Sequence, residues 1–175
     1  STYKQNAKIV KIKFVYYIMA KMFNYYANDI DHTWYESSNI KYSECIDKEN
    51  ELKTLKVVFS NGTQYEYYGV DVNDYLLFRD DLSQGKAFSK YIKSKGYEYK
   101  KIDNVDTTIL EDDLLFRSRG GYYLKYNAEE LMLLDSKDVV VYEKKGEFTY
   151  ESTIEPLVGA MEAIGHNVKV EKLEK

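Results

Sequence analysis

The chain has 175 residues and a formal net charge of −4. That length allows one or two domains. The mild acidity argues against broad electrostatic capture of nucleic acid or of an anionic membrane, but leaves room for a local basic face. The single cysteine, Cys45, excludes an intrachain disulfide and makes a reducing compartment the simpler expectation.

Residues 8–18 read KIVKIKFVYYI. Their alternation of apolar and polar positions has the period of a strand, whereas the continuation MAKMFNYYAN also suits a helix. The apolar run over 9–20 is broken by Lys11 and Lys13 and is too short to span a bilayer, so a cytoplasmic location is expected. Residues 28–39 are polar and read as a loop carrying Trp34, whose large area suits a lid on the core. Residues 42–46 and 52–59 are strand-like and form a hairpin across a charged turn near Asp47. Ser60-Asn61-Gly62-Thr63 then supplies a turn leading to a strand over 64–68 that ends at Gly69.

Asp71 is a helix N-cap by type and position, with Asp74 near the positive helix end, and predicts a helix to about Leu82. Ser83-Gln84-Gly85 opens a second helix that turns Phe88, Tyr91 and Ile92 inward. Lys86, Lys90, Lys93 and Lys95 decorate its other faces, and Gly96 terminates it. Residues 97–102 read as a returning strand with Tyr97 and Tyr99 on one face. After a polar stretch, Arg117-Ser118-Arg119-Gly120-Gly121 reads as a turn before a strand over 122–126. A strand over 131–134 and a hairpin of 138–142 with 147–150 follow. Ser152 and Glu155 have capping-box spacing ahead of a helix over 157–164, which stops at Gly165 before a last strand over 166–173.

The middle of the chain resembles the KTSC domain. The residues that carry the likeness are Ser38-Asn39-Ile40 with Tyr42, Leu55-x-Val57-x-Phe59 leading to Asn61-Gly62, and Tyr65-x-Tyr67 with Val70. Ser83-x-Gly85-Lys86, Phe88, Ile92 and Tyr97 follow in order. The resemblance covers about residues 37–102. Asp71 departs from it where the family usually has proline, and Ser89 where asparagine often stands. It implies a compact α+β module of the kind found alone in small bacterial and phage proteins and at the end of some lysyl-tRNA synthetases. It also implies RNA as a partner.

Several constellations bear on chemistry. Tyr65, Tyr67, Lys86, Lys90 and Lys93 combine stacking rings with cations, as single-strand binders do. The alternative is that both tyrosines lie under the helix as core. Arg117 and Arg119 beside Gly120-Gly121 have the types to cradle phosphate, or else pair with Glu111, Asp112 and Asp113. Asp29, Asp31 and His32, and the triplet Glu111-Asp112-Asp113, lack the spacing of a metal loop. No GxxxxGK[ST], Gly-x-Ser-x-Gly or His-Glu-x-x-His pattern occurs, and Cys45 has only His32 and His166 as potential bases.

The fold expected is α+β, a mainly antiparallel sheet with three or four short helices. Residues 1–102 form a KTSC-like domain with an N-terminal extension, 103–113 a linker, and 114–175 a small α+β segment. The function expected is that of a soluble, non-catalytic binding protein of phage or mobile-element type. It would inhibit or adapt a host protein associated with nucleic acid, such as a CRISPR effector nuclease, through acidic residues at Asp80, Asp81, Glu111, Asp112 and Asp113. The alternative is an RNA- or nucleotide-binding module using Tyr65, Tyr67, Lys86, Lys90, Lys93, Arg117 and Arg119. Neither reading calls for a cofactor, a metal or a membrane.

Overall fold

The computed structural model describes residues 23–47 and 52–174. The strand expected over 8–18 and the tip of the turn after Asp47 lie outside the described residues. The fold is α+β, as expected, with two sheets and four α-helices among the described residues. It divides into a first unit up to Leu110 and a second from Glu111 onward. Among the described residues, no helix is long and apolar enough to cross a membrane.

The sheet of the first unit is an antiparallel meander of six strands in chain order. These are β1 (Phe23–Ala27), β2 (Ile30–Trp34), β3 (Ile40–Ile46), β4 (Leu52–Phe59), β5 (Gln64–Asp71) and β6 (Tyr99–Ile102). β2 corrects the loop expected over 28–39. Its alternation is polar on one face and aromatic on the other, and both faces are satisfied. On the polar face, Asn24 donates to Asp31 at 3.0 Å and to the Thr33 hydroxyl at 2.8 Å. On the other face Trp34 is buried to 1% exposure, and its indole N–H donates to the Leu110 carbonyl at 2.9 Å.

β5 runs on to Asp71 instead of ending at Gly69. Lys53 pairs with Val70 and Leu55 with Tyr67, so β5 carries one more residue than β4 across that step. This bulge takes Gly69 at φ 67°, a left-handed conformation that glycine adopts without steric cost. Asp71 caps α1 (Val72–Arg79) by accepting from the backbone amides of Asn73 and Asp74.

Residues Gln84–Lys95 form one helical run of changing pitch. It comprises α2 (Gln84–Ala87), a π-turn (Phe88–Ile92) and a 3-10 turn (Lys93–Lys95), with Gly96 closing it at φ 75°. The core between this run, α1 and the sheet holds Ile40, Leu55, Val57, Tyr67, Val70, Phe78, Phe88 and Ile92. Each such side chain stabilises the fold by roughly 1.5–3 kcal/mol on burial.

α1 is tied to the far strands by charge. Arg79 donates to Asp31 of β2 at 3.0 Å and to Asp80 at 2.9 and 3.0 Å. The Tyr75 hydroxyl also donates to Asp31. Asp31, read from sequence as a loop acid, is therefore the anchor of α1.

The second unit holds a four-stranded sheet in the order β10-β7-β8-β9. Its strands are β7 (Tyr122–Tyr126), β8 (Glu130–Leu134), β9 (Val140–Lys145) and β10 (Val168–Lys172). β10 pairs parallel to β7 while the other pairs are antiparallel. The core is Leu124, Leu131, Leu133 and Ile154, with Leu157, Val158 and Met161 of α4 (Glu155–Ala163) packed against it.

Three local expectations are corrected here. A helix, α3 (Thr108–Ser118), occupies half of the stretch read as a linker and takes in Arg117 and Ser118. Its signals were Asp106, which accepts from the amide and hydroxyl of Thr108, and Glu111 in the first turn. Residues 147–150 are not a strand, because β9 pairs with β8. The capping box uses Thr149 and Ser152, opening a π-turn (Tyr150–Ile154) before α4, rather than Ser152 and Glu155.

Two outcomes follow. Asp31→Ala leaves the Arg79 guanidinium and the Tyr75 hydroxyl short of their shared partner. It is expected to lower the unfolding free energy by about 2–4 kcal/mol in chemical denaturation. Cys45 is buried, and burial pushes its thiol up to about 12. Since the thiolate is the reactive form, iodoacetamide near pH 8 should label the denatured chain and leave the native chain unlabelled.

Candidate functional site

β5 and β6 continue the sheet past the helical run, and the side chains of one face are left partly open. In the register, Tyr65 lies opposite Lys101 and Tyr67 opposite Tyr99. Alternation along each strand puts these four on the face that the helical run borders. The run itself turns Phe88 and Ile92 down and leaves Lys86, Ser89, Lys90 and Lys93 along its open flank. The result is an open groove of about 1290 Å³ with a tyrosine floor and a lysine wall. Asn39, Asn61, Thr63, Ser83 and Gly85 border it with neutral polar groups, and Gly96 and Tyr97 belong to the lining as well. Among the described lining residues there is no carboxylate.

The floor is a continuous aromatic surface. Tyr65 lies 6.0 Å from Tyr67 at an interplanar angle of 30°, and Tyr99 lies 5.8 Å from Tyr65 and 5.3 Å from Tyr67. Beneath them Phe88 meets Phe59 edge-on at 5.1 Å and Tyr67 at 5.8 Å. Such offset and tilted rings are mutually favourable. The three tyrosines are graded in depth, with Tyr67 buried, Tyr65 half-buried and Tyr99 59% exposed. Burial, with Tyr65 and Tyr99 beside it, pushes the Tyr67 hydroxyl up to about 12. It therefore stays neutral and a hydrogen-bond donor across the physiological range. Tyr97 fixes the far end by donating to Asp74 of α1 while accepting from the Asp71 amide.

The wall cations are available. Among the described residues, no salt bridge joins Lys86, Lys90 or Lys93 to an acid. Lys90 lies 5.1 Å from the Tyr91 ring centroid, and Lys101 meets Asp103 only at an exposed 3.6 Å contact. Lys86, Lys90 and Lys93 stand about one helical turn apart along the flank.

Of the residues singled out from sequence, the structure brings Tyr65, Tyr67, Lys86, Lys90 and Lys93 into this one groove. Arg117 and Arg119 are not among its lining residues and belong to the second unit. Arg117 is engaged by groups of its own unit. It donates to both Asp113 oxygens at 2.9 Å, to Asp138 at 2.9 Å and to the Ser136 carbonyl at 3.1 Å, and lies 4.6 Å from the Tyr123 ring. Asp113 also accepts from the Tyr123 hydroxyl. Arg119 lines a smaller depression of about 780 Å³ together with Asp112, Glu162 and Lys169, a lining of mixed charge.

The acidic residues proposed for protein contact are likewise divided between the units. Asp80 pairs with Arg79, and Asp81 accepts from the Ser83 amide. Glu111, Asp112 and Asp113 stand on α3. Cys45 and His32 occupy opposite faces of the sheet, and a His32 ring nitrogen lies 2.6 Å from the Tyr42 hydroxyl. Among the described residues, no group of acids, histidines and cysteine is placed to hold a metal.

Tyr99, Lys101 and Asn39 were missed from sequence as site residues. The available signal was strand period: Tyr97, Tyr99 and Lys101 share a face, and an antiparallel return beside Tyr65-x-Tyr67 adds that face to the same floor.

No curated protein matches the chain. Residues 36–97 match the KTSC domain, the family to which Tyr65-x-Tyr67 and Ser83-x-Gly85-Lys86 pointed. The first unit thus carries a KTSC domain, and all the lining residues from Asn39 to Tyr97 lie within it.

Proposed function

We propose that this protein binds single-stranded nucleic acid in the groove of its first unit, bases against the tyrosine floor and phosphates along the lysine wall, without turning it over. The observation that carries the reading is the joining of Tyr65, Tyr67 and Tyr99 with Lys86, Lys90, Lys93 and Lys101 in one trough whose described lining contains no acid. Stacked rings accept any base face, and cations along one side follow a backbone. Both are the terms by which single strands are held. The groove is open, so a chain can enter and leave along its length. A double helix would keep its bases paired and away from the floor.

The chain as a whole is acidic, with a net charge of −4, which keeps this binding local. Attraction comes from the groove and not from the general field. The reading as an inhibitor or adaptor of a host nucleic-acid-associated protein takes second place. It leans on the acidic clusters, and Asp80 and Asp113 are engaged by arginines within their own units.

Fluorescence anisotropy with a labelled single-stranded RNA tests the proposal. With three or four lysines displacing counterions, log K should fall with log salt at a slope of roughly −2 to −3. Tyr99→Ala removes an exposed ring without opening the core and should weaken binding by about 1–3 kcal/mol. Lys90→Glu combined with Lys93→Glu should weaken it further. Absent binding, or binding indifferent to both salt and Tyr99, would contradict the proposal.

A further inference from the structure

The trough has two distinguishable ends. Gly96 joins the helical run directly to Tyr97, so Lys93 stands at the same end as Tyr97 and Tyr99. At the other end the Ser60 amide donates to the Asn39 carbonyl at 2.9 Å. The Asn39 side chain packs on Gly85, where a Cβ would sit 2.7 Å from its nitrogen. The turn that leads into Tyr65 is thereby held beside the start of α2. Lys86 shares that end with Tyr65 and with Lys101, which lies opposite Tyr65 in the register.

Each end is bounded by an acid. Tyr97 donates to Asp74, which also meets Lys95 at 3.8 Å. Lys101 lies 3.6 Å from Asp103. Neither Asp74 nor Asp103 lines the trough, but a phosphate carried past either end approaches a carboxylate. Between those acids the wall supplies Lys86, Lys90 and Lys93, all exposed. Positions three and four apart on a helix lie about 5–6 Å from one another, and alternate positions on a strand about 7 Å. Neighbouring phosphates of an extended single strand are spaced over a similar interval, so the wall can match one lysine to one phosphate.

We infer that the trough takes a segment of about four nucleotides, its linking phosphates one to a lysine, and that a longer strand gains no further contact. This rests on the nucleic-acid reading above and adds the length of strand recognised. The floor agrees with it. Tyr67 is buried, so Tyr99 and half-buried Tyr65 are the rings with open surface, enough for one or two bases within so short a segment. The site therefore suits a strand end or an unpaired loop and is not built to coat a long strand.

Anisotropy competition with oligouridylates from the dimer to the dodecamer tests the inference. Affinity should rise about tenfold or more between the dimer and the tetramer as phosphates reach the wall. Beyond the tetramer it should grow only in proportion to the number of registers a longer strand offers, and the salt slope should stay constant. Asp103 is exposed, and Asp103→Asn removes one boundary. It should raise the dodecamer affinity relative to the tetramer by roughly twofold or more, and an unchanged ratio would overturn the boundary role of Asp103. A salt slope that steepens through the dodecamer, or a dimer that binds as tightly as the tetramer, would overturn the inferred length while leaving the groove reading intact. Failure to bind any length would remove both readings together.

Discussion

Phe88 is the packing centre on which the first unit depends. Its ring meets Phe59, Tyr65, Tyr67 and Phe78, each with centroids 5.1–6.1 Å away, and the π-turn that begins with it places Ile92 in the same core. A helix seated this way borders β5 and β6 without covering them. The floor tyrosines are consequently buried in gradation, from Tyr67 through Tyr65 to Tyr99. The same seat turns Lys86, Lys90 and Lys93 onto the flank beside those rings. One packing contact thus produces both the core and the opening. π-turns inside helices occur often at functional sites, and here the wider turn sits between Lys86 and Lys93 of the wall.

Charge is partitioned to match. The acids near α1 are consumed in structure: Asp31 and Asp80 by Arg79, Asp71 by the helix amides, and Asp74 by Tyr97. In the second unit Arg117 takes Asp113 and Asp138. Half-buried pairs of this type fix orientation more than they add stability. None of these acids is among the groove's lining residues, so a chain with more acids than bases can still present a basic trough.

Much of the first unit was legible in the sequence because its residues repeat at strand and helix periods. The Asn61-Gly62 turn, the Asp71 cap and the Gly96 stop each mark a boundary with its own mechanism. β2 was not legible, since Asp31 and Thr33 look like loop residues until Arg79 and Asn24 arrive from elsewhere in the chain. α3 was hidden by acids that suit a helix start as well as a linker. Five of the candidate site residues share the groove because Tyr-x-Tyr and the lysine spacing each define a face by themselves. For Arg117 the sequence left two readings open, a phosphate cradle or pairing with nearby acids, and the structure pairs it with Asp113 and Asp138. Asn39 was noticed only as part of a likeness. Its position against Gly85 is a tertiary contact that no local pattern encodes.

If the open aromatic–lysine trough is the working surface, ligand must be felt there and not elsewhere. Amide chemical-shift mapping of the 15N-labelled chain during titration with a short single-stranded RNA tests it most directly. Saturable shifts are expected at Gly85 through Lys93, at Tyr65 to Tyr67 and at Tyr99 to Lys101. Shifts confined to the second unit, or to the acids around Asp80 and Asp81, would contradict it.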